Sequence, residues 1–98
     1  MLLYITLGSN NLSRSQAFYD AVLSPLGLER MVTKDDEIGY GVSGDHRQCR
    51  LWIVQPFMKL PATWGNGTLV ALDAPSRAAV DEFYNAALAH GGYDEGAP

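Results

Sequence analysis

Five residues could form a binding site together. Tyr4, Tyr40, Trp52 and Trp64 are aromatic, and Arg50 stands two positions before Trp52. Residues two apart on a strand share a face, so Arg50 and Trp52 are expected side by side. A mostly apolar pocket with a few polar groups is the usual form of a small-molecule site. Arg50 could pair with an anionic ligand, and Trp52 could stack on a planar one. The competing account is that these aromatics are core and Arg50 lies at the rim. The sequence leaves both open.

Other chemistry is less well supported. Cys49 follows His46 by three positions, which invites a nucleophile and its base. Across a loop–strand boundary that spacing need not bring them face to face, and a buried free cysteine usually just packs. Asp35-Asp36-Glu37 could clamp a metal, but acidic residues are ordinary in the hairpin turn expected there. Gly65-Asn66-Gly67 is not a phosphate loop, because a strand rather than a helix is expected after it. His46 falls in an expected loop and His90 at an expected helix end, so both are expected at the surface. A cation beside a helix C-terminus is mildly favourable, which accounts for His90 without catalysis.

Composition narrows the class. The chain has 98 residues, enough for one domain with a core but not for two. Apolar residues make up 47% and charged residues 18%, an ordinary globular balance. A net charge of -4 argues against nucleic acid as a partner and favours solubility. Cys49 is the single cysteine, which excludes an internal disulfide framework and a thiolate zinc cluster. A reducing cytoplasm fits and is the expected location. No apolar run approaches the ~20 residues that span a bilayer, and no basic stretch precedes the apolar start. Neither a membrane partner nor a signal peptide is expected.

These residues must be held by regular elements. Leu2 to Leu7 reads as a strand stopped by Gly8-Ser9-Asn10-Asn11. A helix is expected from about Leu12 to Leu23, with Ser13 and Gln16 as a capping box and Asn11 as a rival cap. Pro25 and Gly27 end it. Strands follow at Leu28–Lys34, Glu37–Val42 and Cys49–Val54, the first two joined by a tight turn at Asp35-Asp36. Phe57 to Asn66 is a long connection. Thr68–Leu72 reads as another strand, and Ser76 caps a second helix that ends at Gly91-Gly92. Phe18, Val22, Phe83 and Leu88 lie on helical apolar stripes and are expected to be buried.

The chain also repeats. At an offset of 65 positions, Phe18-Tyr19 falls on Phe83-Tyr84, Ala21 on Ala86, Leu23 on Leu88 and Gly27 on Gly92. Leu7 falls on Leu72 and Tyr4-Ile5 on Leu69-Val70. Each copy reads as strand, turn, helix and closing glycine, which suggests duplication of one supersecondary unit.

Several stretches carry a family resemblance. They are Tyr4-Ile5-Thr6-Leu7-Gly8, Arg14-Ser15-Gln16-Ala17-Phe18-Tyr19-Asp20, Leu26-Gly27-Leu28 and Leu51-Trp52-Ile53. Further on come Gly65-Asn66-Gly67-Thr68-Leu69-Val70-Ala71 and Arg77-Ala78-Ala79-Val80-Asp81. In this order the chain resembles the vicinal oxygen chelate superfamily of glyoxalases, bleomycin-resistance proteins and extradiol dioxygenases. It is most similar to the small bacterial glyoxalase-like proteins. The resemblance implies an α+β fold of βαβββ modules, paired around a cleft. One module would span residues 2–55 and a linker 56–66. A second module, incomplete in this chain, would begin in 67–98. Strands continuing past Pro98 are expected, with homodimerisation as a companion expectation.

Metal-dependent members take His, Glu or Gln ligands from the first and fourth strands of each module. Those positions fall on Tyr4, Trp52 and Leu69, and the last would lie beyond Pro98. A phenol, an indole and an aliphatic chain are poor ligands for a divalent ion. No metal or other cofactor is therefore expected. The expected function is metal-free binding of a small organic molecule in an aromatic cleft. The alternative is a metal-dependent lyase or dioxygenase of the same superfamily, with ligands elsewhere.

Overall fold

The computed structural model describes residues 2–44, 48–63 and 65–98. His46 and Trp64 lie outside them. Strand β1 (Ile5–Gly8) leads through a short turn into helix α1 (Leu12–Leu23). Asn11 is its cap: its side chain accepts from the Arg14 backbone N–H at 3.1 Å. Ser13 lies inside the helix, so the expected capping box is not formed. The turn sets this choice, because the Ser9 hydroxyl accepts from the Asn11 N–H at 3.1 Å and fixes Asn11 at the helix entry.

Pro25 sits in a 3-10 turn (Ser24–Leu26) that closes α1. Gly27 follows at φ 79°, a left-handed conformation that glycine adopts without a side-chain clash, and its N–H bonds the Ser24 carbonyl. Strands β2 (Leu28–Thr33), β3 (Glu37–Val42) and β4 (Leu51–Val54) then complete the sheet. Helix α2 (Arg77–Ala89) is capped by Ser76, which accepts from the Ala79 N–H at 3.1 Å.

The sheet order is β1-β4-β3-β2. Strands β1 and β4 run parallel, and the other neighbours are antiparallel. The crossover through α1 therefore carries the chain from one edge strand to the other. Register stacks Ile5 beside Leu51, Leu7 beside Ile53, Ile38 beside Ile53 and Tyr40 beside Leu51. These side chains form one apolar face, and α1 lays Val22 and Leu23 on it. Burying each such side chain contributes about 1.5–3 kcal/mol. Helix α2 packs on α1 and the 3-10 turn. The mixed α+β architecture, one β-α-β-β-β unit followed by a helix, is the one expected from the sequence.

Two expectations are corrected. Residues 68–72 form no strand. A strand is held by its ladder, and no strand among the described residues lies beside this segment to supply one. Instead Val70 and Leu72 join Leu26, Val80 and Phe83 around an apolar hollow of about 160 Å³ beside α2. The 65-residue repeat therefore holds for the helices, where Phe18 and Phe83 both pack against the core, and not for the strands. Leu88 is 38% exposed rather than buried. Phe83, Ala86 and Ala87 form the contact stripe, and Leu88 lies one residue further round the helix. Among the described residues, no helix is long and apolar enough to cross a membrane.

Candidate functional site on the open face of the sheet

The sheet face away from α1 is built from the alternate residues of the same strands. Trp52 is its centre. Register places Thr6 of β1 on one side of Trp52 and Gly39 of β3 on the other. Gly39 is required there. A Cβ at this position would stand 2.7 Å from Cys49 Sγ and 2.9 Å from the Trp52 ring. A Cβ at Gly41 would stand 2.6 Å from Met31 Sδ. Thus β3 presents two glycines to this face because neighbouring side chains lie down across its backbone.

Beside the indole lies a hollow of about 290 Å³, lined by Tyr4, Thr6, Glu37, Trp52, Val54 and Phe57. That is near the lower end of small-molecule pockets, which run from about 300 to 1,000 Å³. Phe57 is positioned by a turn in which the Lys59 N–H bonds the Pro56 carbonyl at 3.1 Å. The connection is held down further along by Asn10. Its side chain accepts from the Ala62 N–H at 2.6 Å and donates to the Ala62 carbonyl at 3.0 Å. Glu37 pairs with Val54 across β3 and β4, and its Oε1 lies 3.4 Å from Lys34 Nζ.

The structure brings together Tyr4 and Trp52 of the five sequence candidates. Tyr40 lies apart from them: it is fully buried on the opposite face, packed with Ile38, Leu51 and Ile53 against α1. Alternation gives Ile38 and Tyr40 one face, and the apolar Ile38 fixes that face as the core side. Its hydroxyl donates to Asp20 Oδ1 at 2.7 Å. Burial and that bond raise the Tyr40 pKa well above the usual tyrosine value. Arg50 is exposed just before β4 and does not line the hollow. Trp64 lies outside the described residues. Leu69 is 85% exposed and is not part of the lining.

Glu37, Thr6, Val54 and Phe57 were not singled out by sequence. Glu37 is the first residue of β3, as expected, but in the sequence its side chain reads only as part of an acidic cluster with Asp35 and Asp36. The signal that finds it is the pair Gly39 and Gly41. Interior strand glycines mark a face approached closely by other groups, and Glu37 is the next residue on that face.

The donors here do not fit a divalent ion. Glu37 is the one carboxylate in the lining, and a tyrosine, a threonine and an indole N–H complete its polar groups. No group of three or more His, Cys, Asp or Glu converges among the described residues. Cys49 is 7% exposed, and burial pushes its thiol pKa up. That is the opposite of what a nucleophilic thiolate requires. His90 is exposed, with Nδ1 2.9 Å from the Ala86 carbonyl of its own helix.

A second depression, of about 310 Å³, lies between the start of α1 and the end of α2, with Ser9, Arg14, Ser15 and His90 in its wall. Its two serines bond each other at 2.6 Å. The open sheet face is the better candidate. Trp52 there is held by a hydrogen-bonded strand between β1 and β3, and Tyr4 and Phe57 line the same hollow.

The chain is similar to known proteins of solved structure. A solved structure described as a glyoxalase/bleomycin resistance protein from Albidiferax ferrireducens T118 matches with a TM-score of 0.82 and 32% sequence identity. The match covers 93% of this chain and 72% of that one. No protein-family profile and no curated protein sequence matches the chain.

Proposed function

Because the chain belongs to the glyoxalase/bleomycin resistance protein family, we propose that it is a metal-free binding protein for a small organic molecule held against Trp52. The observation that carries this is the indole lying across Gly39, with Tyr4 and Phe57 in the same hollow. A flat ligand would stack on the indole, and the Tyr4 hydroxyl, Thr6 and Glu37 would fix its orientation. Among the described residues no set of metal-ligating side chains converges, which favours a binding role over that of a metal-dependent lyase or dioxygenase. Two copies are proposed to pair, since β1 is an edge strand and Leu2, Leu3 and Phe57 expose apolar surface. A reducing cytoplasm suits the free Cys49.

The test is a thermal-shift screen of planar aromatics, small acids and thiol conjugates against the parent protein and Trp52→Ala. The expected result is a shift with planar aromatics in the parent that disappears in Trp52→Ala. A hit that shifts both proteins equally would place the ligand elsewhere. Metal analysis of the purified protein checks the metal-free state, and stoichiometric zinc, nickel, manganese or iron would overturn it. Light scattering at micromolar concentration checks the dimer.

A further inference from the structure

The sequence suggests an anionic ligand paired with Arg50, but the charged side chain in the wall of the hollow, Glu37, has the opposite sign. Arg50 is not in its wall, and no positively charged side chain among the described residues lines it. Among the described residues, Glu37 is the one acidic side chain that does. It stands on the same face as Trp52 and diagonally across the β3–β4 ladder, since Val54 is its direct partner and Trp52 is two positions earlier. Diagonal neighbours of this kind are about 7–8 Å apart at Cβ, within reach of aromatic and long side chains.

We infer that this hollow selects a flat organic cation, either an aromatic quaternary ammonium or a protonated aromatic amine. The inference rests on the binding role proposed above and names its ligand class. The ring stacks on Trp52, and the positive charge lies toward Glu37. Aromatic faces carry negative quadrupole potential, so Trp52, Tyr4 and Phe57 favour a cation over a neutral ring and disfavour an anion. Glu37 adds a formal charge of the same preference.

One group opposes this. Lys34 Nζ lies 3.4 Å from Glu37 Oε1. That pair is exposed, with the Lys34 side chain 64% accessible, and exposed pairs are weak and easily exchanged. The hairpin carries Asp35, Asp36 and Glu37 against Lys34, three carboxylates to one ammonium. The local field therefore stays negative even with Lys34 in place.

The test uses three probes of nearly one shape at pH 8: N-methylquinolinium, uncharged quinoline and 1-naphthoate. Each is titrated by calorimetry into the parent protein, Glu37→Gln and Trp52→Ala. N-methylquinolinium is expected to bind about tenfold tighter than quinoline, with 1-naphthoate weakest. Glu37→Gln should remove most of the preference for the cation, and its circular dichroism spectrum and thermal melt, matched to the parent, show that the variant is folded. Trp52→Ala should weaken all three. Equal binding of cation and neutral probe, preference for 1-naphthoate, or a preference that survives intact in Glu37→Gln would overturn the cation inference. In each of those cases Trp52-dependent binding would leave the binding role standing. If none of the three probes binds the parent protein, the aromatic binding role falls, and the cation inference falls with it.

Discussion

The Tyr40 hydroxyl donates to Asp20 Oδ1 at 2.7 Å, and Arg30 Nε donates to the same oxygen at 3.1 Å. One carboxylate on α1 thus ties the helix to β3 through a buried phenol and to β2 through a surface guanidinium. The Arg30–Asp20 pair is partly exposed and is worth about 0–1 kcal/mol. The Tyr40 bond is the stronger link, because its phenol has no water to turn to. Tyr40→Phe should cost about 1–2 kcal/mol in chemical denaturation. A loss under about 0.3 kcal/mol would mean that the hydroxyl contributes nothing beyond the ring.

The same bond makes stability depend on pH. The folded-state pKa of Tyr40 lies above the usual value of 10.0, through burial first and then its bond to Asp20. A raised folded pKa gives stability that is fully present below the unfolded pKa of about 10 and is lost as pH rises toward the folded value. Unfolding free energy should therefore fall between about pH 10 and 12. Tyr19 and Cys49, raised by burial, and Tyr84, raised by its hydrogen bond to Asp94, act in the same direction. The informative quantity is the difference: Tyr40→Phe should show the shallower alkaline fall, and equal slopes would remove Tyr40 as a cause.

Helical stripes make a second prediction. Leu23 is fully buried under the sheet, so Leu23→Ala should cost about 2–5 kcal/mol. Leu88 is its equivalent in the repeat, yet it stands at the edge of the α2 contact. Leu88→Ala should cost under about 1 kcal/mol. Urea denaturation of both variants checks this. Equal losses would mean that Leu88 is covered in solution, as it would be in a dimer that uses α2.

That contrast shows what the sequence could and could not convey. Local signals were legible: Pro25, Gly27 and Ser76 mark real element ends, and β3 runs over the residues that its alternation implies. Long-range placement was not. Residues 68–72 have the composition of a strand but no neighbour to pair with, and composition cannot reveal a missing ladder. Tyr40 and Trp52 are both large aromatics on adjacent strands. Period-2 alternation says that they face opposite ways only once the register Gly39 to Trp52 is known. Glu37 reads as the start of β3, but its position diagonal to Trp52 likewise needs the β3–β4 register.

Gly39 supplies a third prediction. An alanine methyl would meet Cys49 Sγ and the Trp52 ring at distances below 3.0 Å. Neither neighbour moves freely, as Cys49 is buried and Trp52 is braced between two strands. Gly39→Ala should cost about 1–3 kcal/mol and should weaken planar ligands by tilting the indole. A variant with parent stability and parent affinity would show that the indole is free to swing off β3, and the stacking platform would be lost as an explanation.

The last prediction separates stability from binding at one residue. Lys34 and Glu37 form a solvent-exposed pair three residues apart around the β2–β3 turn. Removing it with Lys34→Gln should change stability by no more than about 0.5 kcal/mol, because exposed pairs gain little over hydration. The charge of Glu37 is then less shielded toward the hollow. At low salt, N-methylquinolinium should bind Lys34→Gln a few-fold tighter than the parent, and the gain should shrink as ionic strength rises. Quinoline should bind both proteins alike. If Lys34→Gln weakens the cation, the lysine is holding Glu37 in its binding orientation rather than competing for it. If quinoline also changes, the substitution has altered the shape of the hollow and not only its charge.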